Sequence, residues 1–244
     1  MSNITLLGTG TCQIEFQRRA SSVLLDLAGT PILFDCGHGV VQRLLEAGVQ
    51  HNQLHHIILS HFHPDHVSDL IPFLQAGAWS QQNPRTEDIH IYGPAGVQKL
   101  VNGLMDIFGQ RSLQQPTYQV VVHEITADTF SIAGHQFEFI SLPPSGNHGL
   151  RFTWKNKQYA ITGDSHFHDE EIAFLRQVDL AIIDAGHPTN EEIVKLAAAS
   201  QAHTIVCSHQ YRELDAKELQ TAAAQKGYQG NFIIARDMMS FSLD

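Results

Sequence analysis

Seven consecutive residues, Ser60-His61-Phe62-His63-Pro64-Asp65-His66, constrain this chain more than any other feature of it. They follow the apolar run Ile57-Ile58-Leu59, which reads as a short buried strand. Four metal-capable side chains are thus delivered together at a strand's carboxyl end, where open α/β sheets keep their sites. His61 and His63 are two apart, so on extended backbone they point to the same side and can share one ion. Pro64 cannot continue a ladder but suits the first turn of a helix, which puts Asp65 and His66 in or beside that turn, facing a different spot. Such geometry suggests two ions. Imidazole with carboxylate is a ligand mix that zinc accepts, and that manganese or iron accept where carboxylate and water share the shell.

The 244 residues, 43% of them apolar, suffice for a substantial core. No composition break or Gly/Ser/Pro-rich linker divides them, so residues 1–244 are expected to form one domain made of two similar halves. The formal charge is -10, with 15 Lys and Arg against 25 Asp and Glu. An acidic surface repels polyanions, so a nucleic-acid substrate would need a local basic patch. No run reaches the length of a membrane span, and the amino terminus has no charged region ahead of a long apolar stretch. Cys12, Cys36 and Cys207 form no close pair. Both observations point to a cytoplasmic protein without a disulfide framework.

Taken in order, Ile4 to Leu7 reads as a strand closed by Gly8-Thr9-Gly10-Thr11, a tight turn that lacks the spacing of a phosphate-binding fingerprint. Ser22 to Leu27 and Pro31 to Phe34 are strands leading into Asp35-Cys36-Gly37-His38-Gly39, followed by a helix through Val40, Val41, Leu44 and Leu45. Val67, Leu70, Ile71 and Leu74 mark a helix leaving the histidine cluster. After the strand Ile89 to Tyr92, the apolar residues from Val97 to Phe108 recur at helical spacing, which indicates core. Short strands succeed one another from Tyr118 to Trp154, and Lys155-Asn156-Lys157 turns the chain into Gln158 to Thr162. Strand and helix then alternate to a last strand, Phe232 to Ala235. Thr189-Asn190-Glu191-Glu192 has capping-box spacing, and Asp215 and Gly227 bracket the last helix. Two mixed sheets with helices outside accommodate this order, as an α/β fold of four layers, an αβ/βα sandwich with each sheet built by one half of the chain.

Polar ligands at the ends of apolar strands would converge on one edge of such a sandwich. His148 precedes Leu150-Arg151-Phe152, Asp164 follows Tyr159-Ala160-Ile161-Thr162-Gly163, and His209 follows Ile205-Val206-Cys207-Ser208. With the pattern His-x-His-x-Asp-His at His61, His63, Asp65 and His66, the chain resembles the metallo-β-lactamase fold hydrolases. Asn147-His148-Gly149-Leu150-Arg151-Phe152, Thr162-Gly163-Asp164-Ser165, Ala185-Gly186-His187-Pro188-Thr189 and Ser208-His209-Gln210-Tyr211-Arg212 narrow the resemblance to the ribonuclease Z-like phosphodiesterases. Leu7-Gly8-Thr9-Gly10 and Asp35-Cys36-Gly37 are similar to that subgroup as well.

The resemblance implies a binuclear centre holding two divalent metal ions, zinc foremost and manganese or iron as alternatives. His61, His63 and His148 would hold one ion; Asp65, His66 and His209 the other; Asp164 would bridge them. Asp65 would also receive the nucleophile's proton, and His187, off the ligand set, would protonate the leaving alkoxide. The expected activity is hydrolysis of a small, cyclic or nucleotide phosphodiester. The interval from His148 to Asp164, where ribonuclease Z carries a protruding tRNA-gripping arm, is short here, so tRNA 3′ processing, with RNA as substrate, is the alternative reading. Hydrolysis of a lactone, thioester or β-lactam on the same scaffold is a further one. The resemblance also implies a homodimer. Arg18, Arg19 and Arg212 are candidates for binding substrate phosphate. His166 and His168 read as a polar lid or helix lead-in, with contact to metal or substrate as the alternative because their loop follows Asp164, and His51, His55, His56, His90, His123, His135 and His203 read as structural or solvated histidines.

Overall fold

A computed structural model describes residues 2–244. The chain divides into two compact units, one of residues 1–8, 14–126 and 237–244, the other of residues 9–13 and 127–236. In the first unit, β1 (Asn3–Gly8), β2 (Ser22–Leu27) and β3 (Thr30–Phe34) are followed by α1 (Val40–Glu46), β4 (His56–Ile58), α2 (Pro64–Val67), α3 (Leu70–Trp79), β5 (Ile89–Gly93), α4 (Val97–Phe108), α5 (Gln110–Leu113) and β6 (Val120–Glu124). The second unit contains β7 (Thr129–Ile132), β8 (His135–Leu142), β9 (Asn147–Trp154), β10 (Lys157–Ile161), α6 (Asp169–Phe174), β11 (Leu180–Asp184), α7 (Asn190–Ser200), β12 (Thr204–Ser208), α8 (Ala216–Gln225) and β13 (Asn231–Ile234). A last strand, β14 (Met239–Ser242), returns to the first unit.

Among the described residues each unit carries a seven-stranded mixed sheet, ordered β14-β1-β2-β3-β4-β5-β6 and β13-β12-β11-β10-β9-β8-β7. Pairing is antiparallel from β14 to β3 and parallel from β3 to β6. The second sheet has the same plan, parallel from β13 to β10 and antiparallel from β10 to β7. The expected two mixed sheets with helices are therefore present. Their makeup differs from the expectation in one respect: β14 completes the first sheet from the chain's far end, so that sheet is not the work of one half.

In the first unit Leu33, Ile57 and Ile91 pack with Val40 and Leu44 of α1 and Leu70, Phe73 and Leu74 of α3. Ala160, Ala181, Ile183 and Ile205 of the second unit pack with Phe174 of α6, Ile193 and Ala197 of α7 and Leu219 of α8. Burying these faces is the main stabilising term for each unit. A buried Arg85 secures the polar loop before β5, its guanidinium donating to the carbonyls of His51 and Leu54 and lying over the rings of Phe73 and Tyr118.

Local differences have physical causes. The helix expected from Val67 through Leu74 is split into α2 and α3, because the Asp69 amide donates to the Cys36 carbonyl and its carboxylate accepts from Val41 N at 3.0 Å. β9 starts at Asn147, not Leu150, so His148 lies within a strand; Gly149 permits this, since a Cβ there would sit 2.7 Å from Phe174. Lys155 and Asn156, both at positive φ, make the tight turn into β10. The capping box at α7 is present in full: Thr189 Oγ1 accepts from Glu192 N and the Glu192 carboxylate accepts from Thr189 N at 2.7 Å. Thr189→Ala is expected to destabilise the protein by about 1 kcal/mol, seen as a thermal midpoint about 2–4 °C lower; an unchanged midpoint in circular dichroism melts would show that the cap contributes nothing.

Candidate metal centre

The first group of site residues is built on the loop after β4. His63 is the N-cap residue of α2, extended at φ -63° and ψ 147°, and Pro64 occupies the first helical turn. The His61 ring lies 4.5 Å from that of His63 and 4.2 Å from that of His66, centroid to centroid. His66 Nε2 is 3.8 Å from Asp65 Oδ2. His61, Asp65 and His66 are all buried. Behind them stands Asp35, 1% exposed at the end of β3 and at φ 63°. Its carboxylate accepts from Ser60 N and Ser60 Oγ, each at 2.8 Å, and from His66 Nδ1 at 2.7 Å.

This network fixes two tautomers. A carboxylate only accepts, so His66 carries its proton on Nδ1. Ser60 has a single hydroxyl proton and gives it to Asp35, so at 2.9 Å the Ser60 oxygen accepts from His61 Nδ1. Both rings therefore turn the Nε2 lone pair, the electron pair a cation uses, away from Asp35. The β3–α1 loop is laced to α2 through Cys36 N donating to His66 O at 2.8 Å, and a Cβ on Gly37 would lie 1.8 Å from the Asp65 carbonyl oxygen. Only glycine allows this approach.

The second group lies beyond the ends of β10, β11 and β12. Asp164, His187 and His209 bring ligand atoms within 4.8 Å of one another, a spacing at which they could hold a cation. His209, at φ 50°, places Nε2 3.4 Å from Asp164 Oδ1. Asn147 positions Asp164: its side chain donates to Thr162 O at 3.0 Å and accepts from Asp164 N at 3.1 Å. His148 follows Asn147 on β9, its ring stacked on Phe139 at 4.6 Å.

His187 is held differently from Asp164 and His209, both buried. Its side chain is 30% exposed, and Nδ1 lies 2.6 Å from Oδ2 of the buried Asp184. Asp184 also accepts from Ser165 N at 3.1 Å, Gly186 N at 2.8 Å and His187 N at 3.1 Å. A Cβ on Gly186 would lie 2.2 Å from the His209 carbonyl oxygen, so here too a glycine lets the loop touch the neighbouring site segment. Arg212 donates to the Gly186 and Pro188 carbonyls and to Asn190 Oδ1. Of the arginines considered for phosphate, this one is spent on holding the His187 loop, and Arg19 Nη1 donates to Glu15 O at 3.3 Å; Arg18 is half-buried.

His168 caps α6, its Nδ1 accepting from Glu171 N at 3.0 Å, and burial holds the ring's pKa below the usual range. His166 is exposed, its ring 5.2 Å from that of His187. His56, His90 and His123 gather with Tyr92 on the face of β4, β5 and β6, and burial, then the neighbouring imidazoles, lower the His56 pKa to about 4. His51 faces the Asn83 carbonyl, and His55, His135 and His203 lie beside Glu87, Trp154 and Asp179. The roles of Asp35, Asp184 and Asn147 are absent from the sequence reading. A signal for the first two exists: Asp35-Cys36-Gly37-His38 and Asp184-Ala185-Gly186-His187 repeat one pattern, aspartate, any residue, glycine, histidine, at the end of a strand.

Two mixed sheets with imidazole and carboxylate groups beyond their strand ends define a metallo-hydrolase fold, and the Metallo-beta-lactamase superfamily matches residues 17–209, so the chain belongs to that superfamily. Membership implies divalent metal ions, as the sequence indicated. Among its relatives is the ribonuclease Z of Streptococcus suis (strain 98HAH33), 35% identical over 129 residues, a stretch that is 52% of this chain and 40% of that one. The match thus spans less than half the length of that relative. The fold is similar to that of the metallo-beta-lactamase fold protein YhfI from Bacillus subtilis, with a TM-score of 0.81 at 21% identity and 98% of each chain covered. It is also similar to human tRNase Z, short form, with a TM-score of 0.74 at 22% identity and 99% of each chain covered. The expected ribonuclease Z-like metallo-β-lactamase fold is therefore met.

The Asp35 network yields a direct test. The Ser60 N–H at Oδ1 cannot become an acceptor, whereas Ser60 Oγ and His66 Nδ1 at Oδ2 can, so Asp35→Asn is expected to place its NH2 at the Oδ2 position, where it makes His66 Nδ1 an acceptor and moves the ring proton to Nε2. Divalent-cation affinity should fall about 10–100-fold in competition with a chromophoric chelator; unchanged affinity would mean that Asp35 does not set the tautomer.

Proposed function

We propose that residues 1–244 act as one hydrolase domain, a binuclear metal-dependent phosphodiesterase acting on a small, cyclic or nucleotide phosphodiester. In this reading His61, His63 and His148 would hold one cation, Asp65, His66 and His209 the other, and Asp164 would contribute to both. The donor set suits zinc, with manganese or iron as substitutes. Thiolate is not among the donors: no cysteine belongs to the groups of side chains that could hold a cation among the described residues. Bound cations supply an acidified water and offset charge growing on phosphate oxygens.

The chain's own residues supply the proton movements. The Asp65 carboxylate receives the proton of the attacking water. His187 donates to the leaving alkoxide from Nε2, since Asp184 occupies its Nδ1 side. This carboxylate-held imidazole beside Asp164 and His209 is the observation that carries the reading: an alkoxide is a poor leaving group and needs a proton, whereas metal ligands alone cannot deliver one. The preference for small substrates is supported by the His148–Asp164 interval, which β9, a tight turn and β10 occupy. The names ribonuclease Z and tRNase Z among the relatives favour RNA, and tRNA 3′ processing is the second reading. Acyl substrates are the third, because the same hydroxide can attack a carbonyl carbon.

We also place the protein in the cytoplasm, in keeping with three free cysteines, and read it as a homodimer, a state that light scattering tests. No helix among the described residues is long and apolar enough to cross a membrane. Metal analysis of the purified protein should return two equivalents of zinc, manganese or iron per chain. Turnover should be highest on cyclic nucleotides, dinucleotides or bis-p-nitrophenyl phosphate in a panel with pre-tRNA, lactones, thioesters and β-lactams. Asp65→Ala should lower it by on the order of 10²–10⁴-fold. Faster cleavage of pre-tRNA or of an acyl substrate would displace the first reading by the second or third.

A further inference from the structure

A hydrogen bond at Nδ1 does not by itself aim an imidazole. In His187 the Cγ–Nδ1 edge is tied, at Cγ by the side chain's own bond and at Nδ1 by Asp184 Oδ2 at 2.6 Å. Nε2 is the ring atom opposite that edge, so hinging about it swings Nε2 through the widest arc. The side chain is 30% exposed, which leaves the ring room to hinge unless a neighbour stops it. Three rings border it. His166 is exposed and tilted at 56°, and His209 is stacked at 5.3 Å and 16°. Tyr211 alone of the three stands across the ring, at 5.5 Å and 77°, and it stands across His209 in the same way, at 5.6 Å and 81°. Tyr211 is itself anchored. Its hydroxyl lies 3.4 Å from Cys12 Sγ, and its Cδ2 is 2.6 Å from where a Cβ on Gly186 would sit. The buried Gln210 before it donates to the Cys207 and Ala235 carbonyls, each at 3.0 Å, and Arg212 after it donates to those of Gly186 and Pro188.

We propose that Tyr211 is a positioning residue for His187: its anchored ring blocks the hinge and so holds Nε2 in one direction. The inference rests on the reading of His187 as proton donor, although its first test does not depend on turnover. Two neighbours divide the work. Asp184 fixes the Nδ1 edge, and Tyr211 fixes the plane of the ring. The aromatic ring is what matters here, because the hydroxyl is engaged with Cys12 and not with either imidazole. Aim is worth controlling in a proton donor, since a group displaced by a fraction of a bond length from its line of transfer loses much of its effect. Leucine at this position would be narrower and more flexible than a phenol, and would leave the hinge open.

Relaxation of the His187 ring C–H groups reads the hinge directly. In the zinc-loaded protein labelled with ¹³C-histidine, with the resonances identified by their loss in His187→Gln, the order parameter should be about 0.85 in wild type and in Tyr211→Phe, which keeps the ring, and below about 0.6 in Tyr211→Leu, which removes it. If Tyr211→Leu fails to fold, Tyr211→Met removes the ring as well and should give the same loss of order. Retained order in whichever of the two folds would mean that another partner, such as a cation shared with Asp164 and His209, holds the imidazole, and overturns the proposal; so does loss of order in Tyr211→Phe. In parallel, Tyr211→Leu should lower kcat at least about tenfold for phosphodiesters with alkyl leaving groups, with KM little changed, and Tyr211→Phe should restore it. Release of p-nitrophenolate, which leaves without a proton, should be spared in Tyr211→Leu. Equal losses on the two substrates would mark a residue that only fills space and count against the proposal. Absence of phosphodiester turnover in wild type would defeat the proposed function and still leave the order parameter to decide this point.

Discussion

Two buried aspartates, each filled with hydrogen-bond donors and each gripping one imidazole, are the constraint on which the rest of the site depends. A carboxylate removed from water is tolerated only when its lone pairs are taken up, and once they are, its donors are held in one geometry. Asp35 receives Ser60 through both main chain and hydroxyl and then His66; Asp184 receives three amides and then His187. In each unit the aspartate ends or directly follows a parallel strand, and two residues on a glycine lets the loop press against another site segment, Gly37 against Asp65 and Gly186 against His209. A side chain on either glycine would separate the aspartate's loop from the residues it organises.

Much of this was legible in the sequence because the information is local. The cluster from His61 to His66 is continuous, Pro64 marks the start of α2, and the capping box from Thr189 to Glu192 fixes α7. Strands such as Leu180–Asp184 announce themselves by unbroken apolar runs. What was not legible depends on partners distant in the chain. Asp35 looks like a strand-ending turn residue until Ser60 and His66, 25 and 31 positions on, are seen against it. Asn147 and His148 hide the start of β9 because both are polar, and the strand exists there because Gly149 fits against Phe174 and Leu142. Arg212, attractive as a phosphate ligand from its charge alone, has its donors occupied by carbonyls that only the folded loop presents. β14 has an ordinary sequence, and pairing with β1 across almost the whole chain length gives it a place.

Charge and burial also separate the histidines that can do chemistry from those that cannot. His56, His90 and His123 stack on one another and on Tyr92, where protonation of one ring disfavours protonation of the next; burial and these neighbours hold His56 at a pKa of about 4. His56 is a neutral packing element at ordinary pH, and burial lowers the His123 pKa as well. His168 is spent as a helix cap. The rings at the two aspartates are distinguished by having one nitrogen committed to a carboxylate, which leaves the opposite nitrogen with a defined role.

That shared device serves two different ends, and solvent access decides which. His66 is fully buried, with Asp65 beside it and Asp35 behind it, so a proton on its Nε2 could not be replenished from water in each cycle. The ring is suited to presenting a lone pair. The His187 side chain is 30% exposed and its Nδ1 lies against the Asp184 carboxylate, so Nε2 can take a proton from solvent, deliver it and take another. Under the proposed function a single pattern of aspartate, glycine and imidazole would yield an electron-pair donor in one unit and a proton donor in the other. The same reasoning explains why Asp184 needs more amide donors than Asp35. In the proposed role its histidine would move between charged and neutral forms, and the carboxylate would hold its position through both.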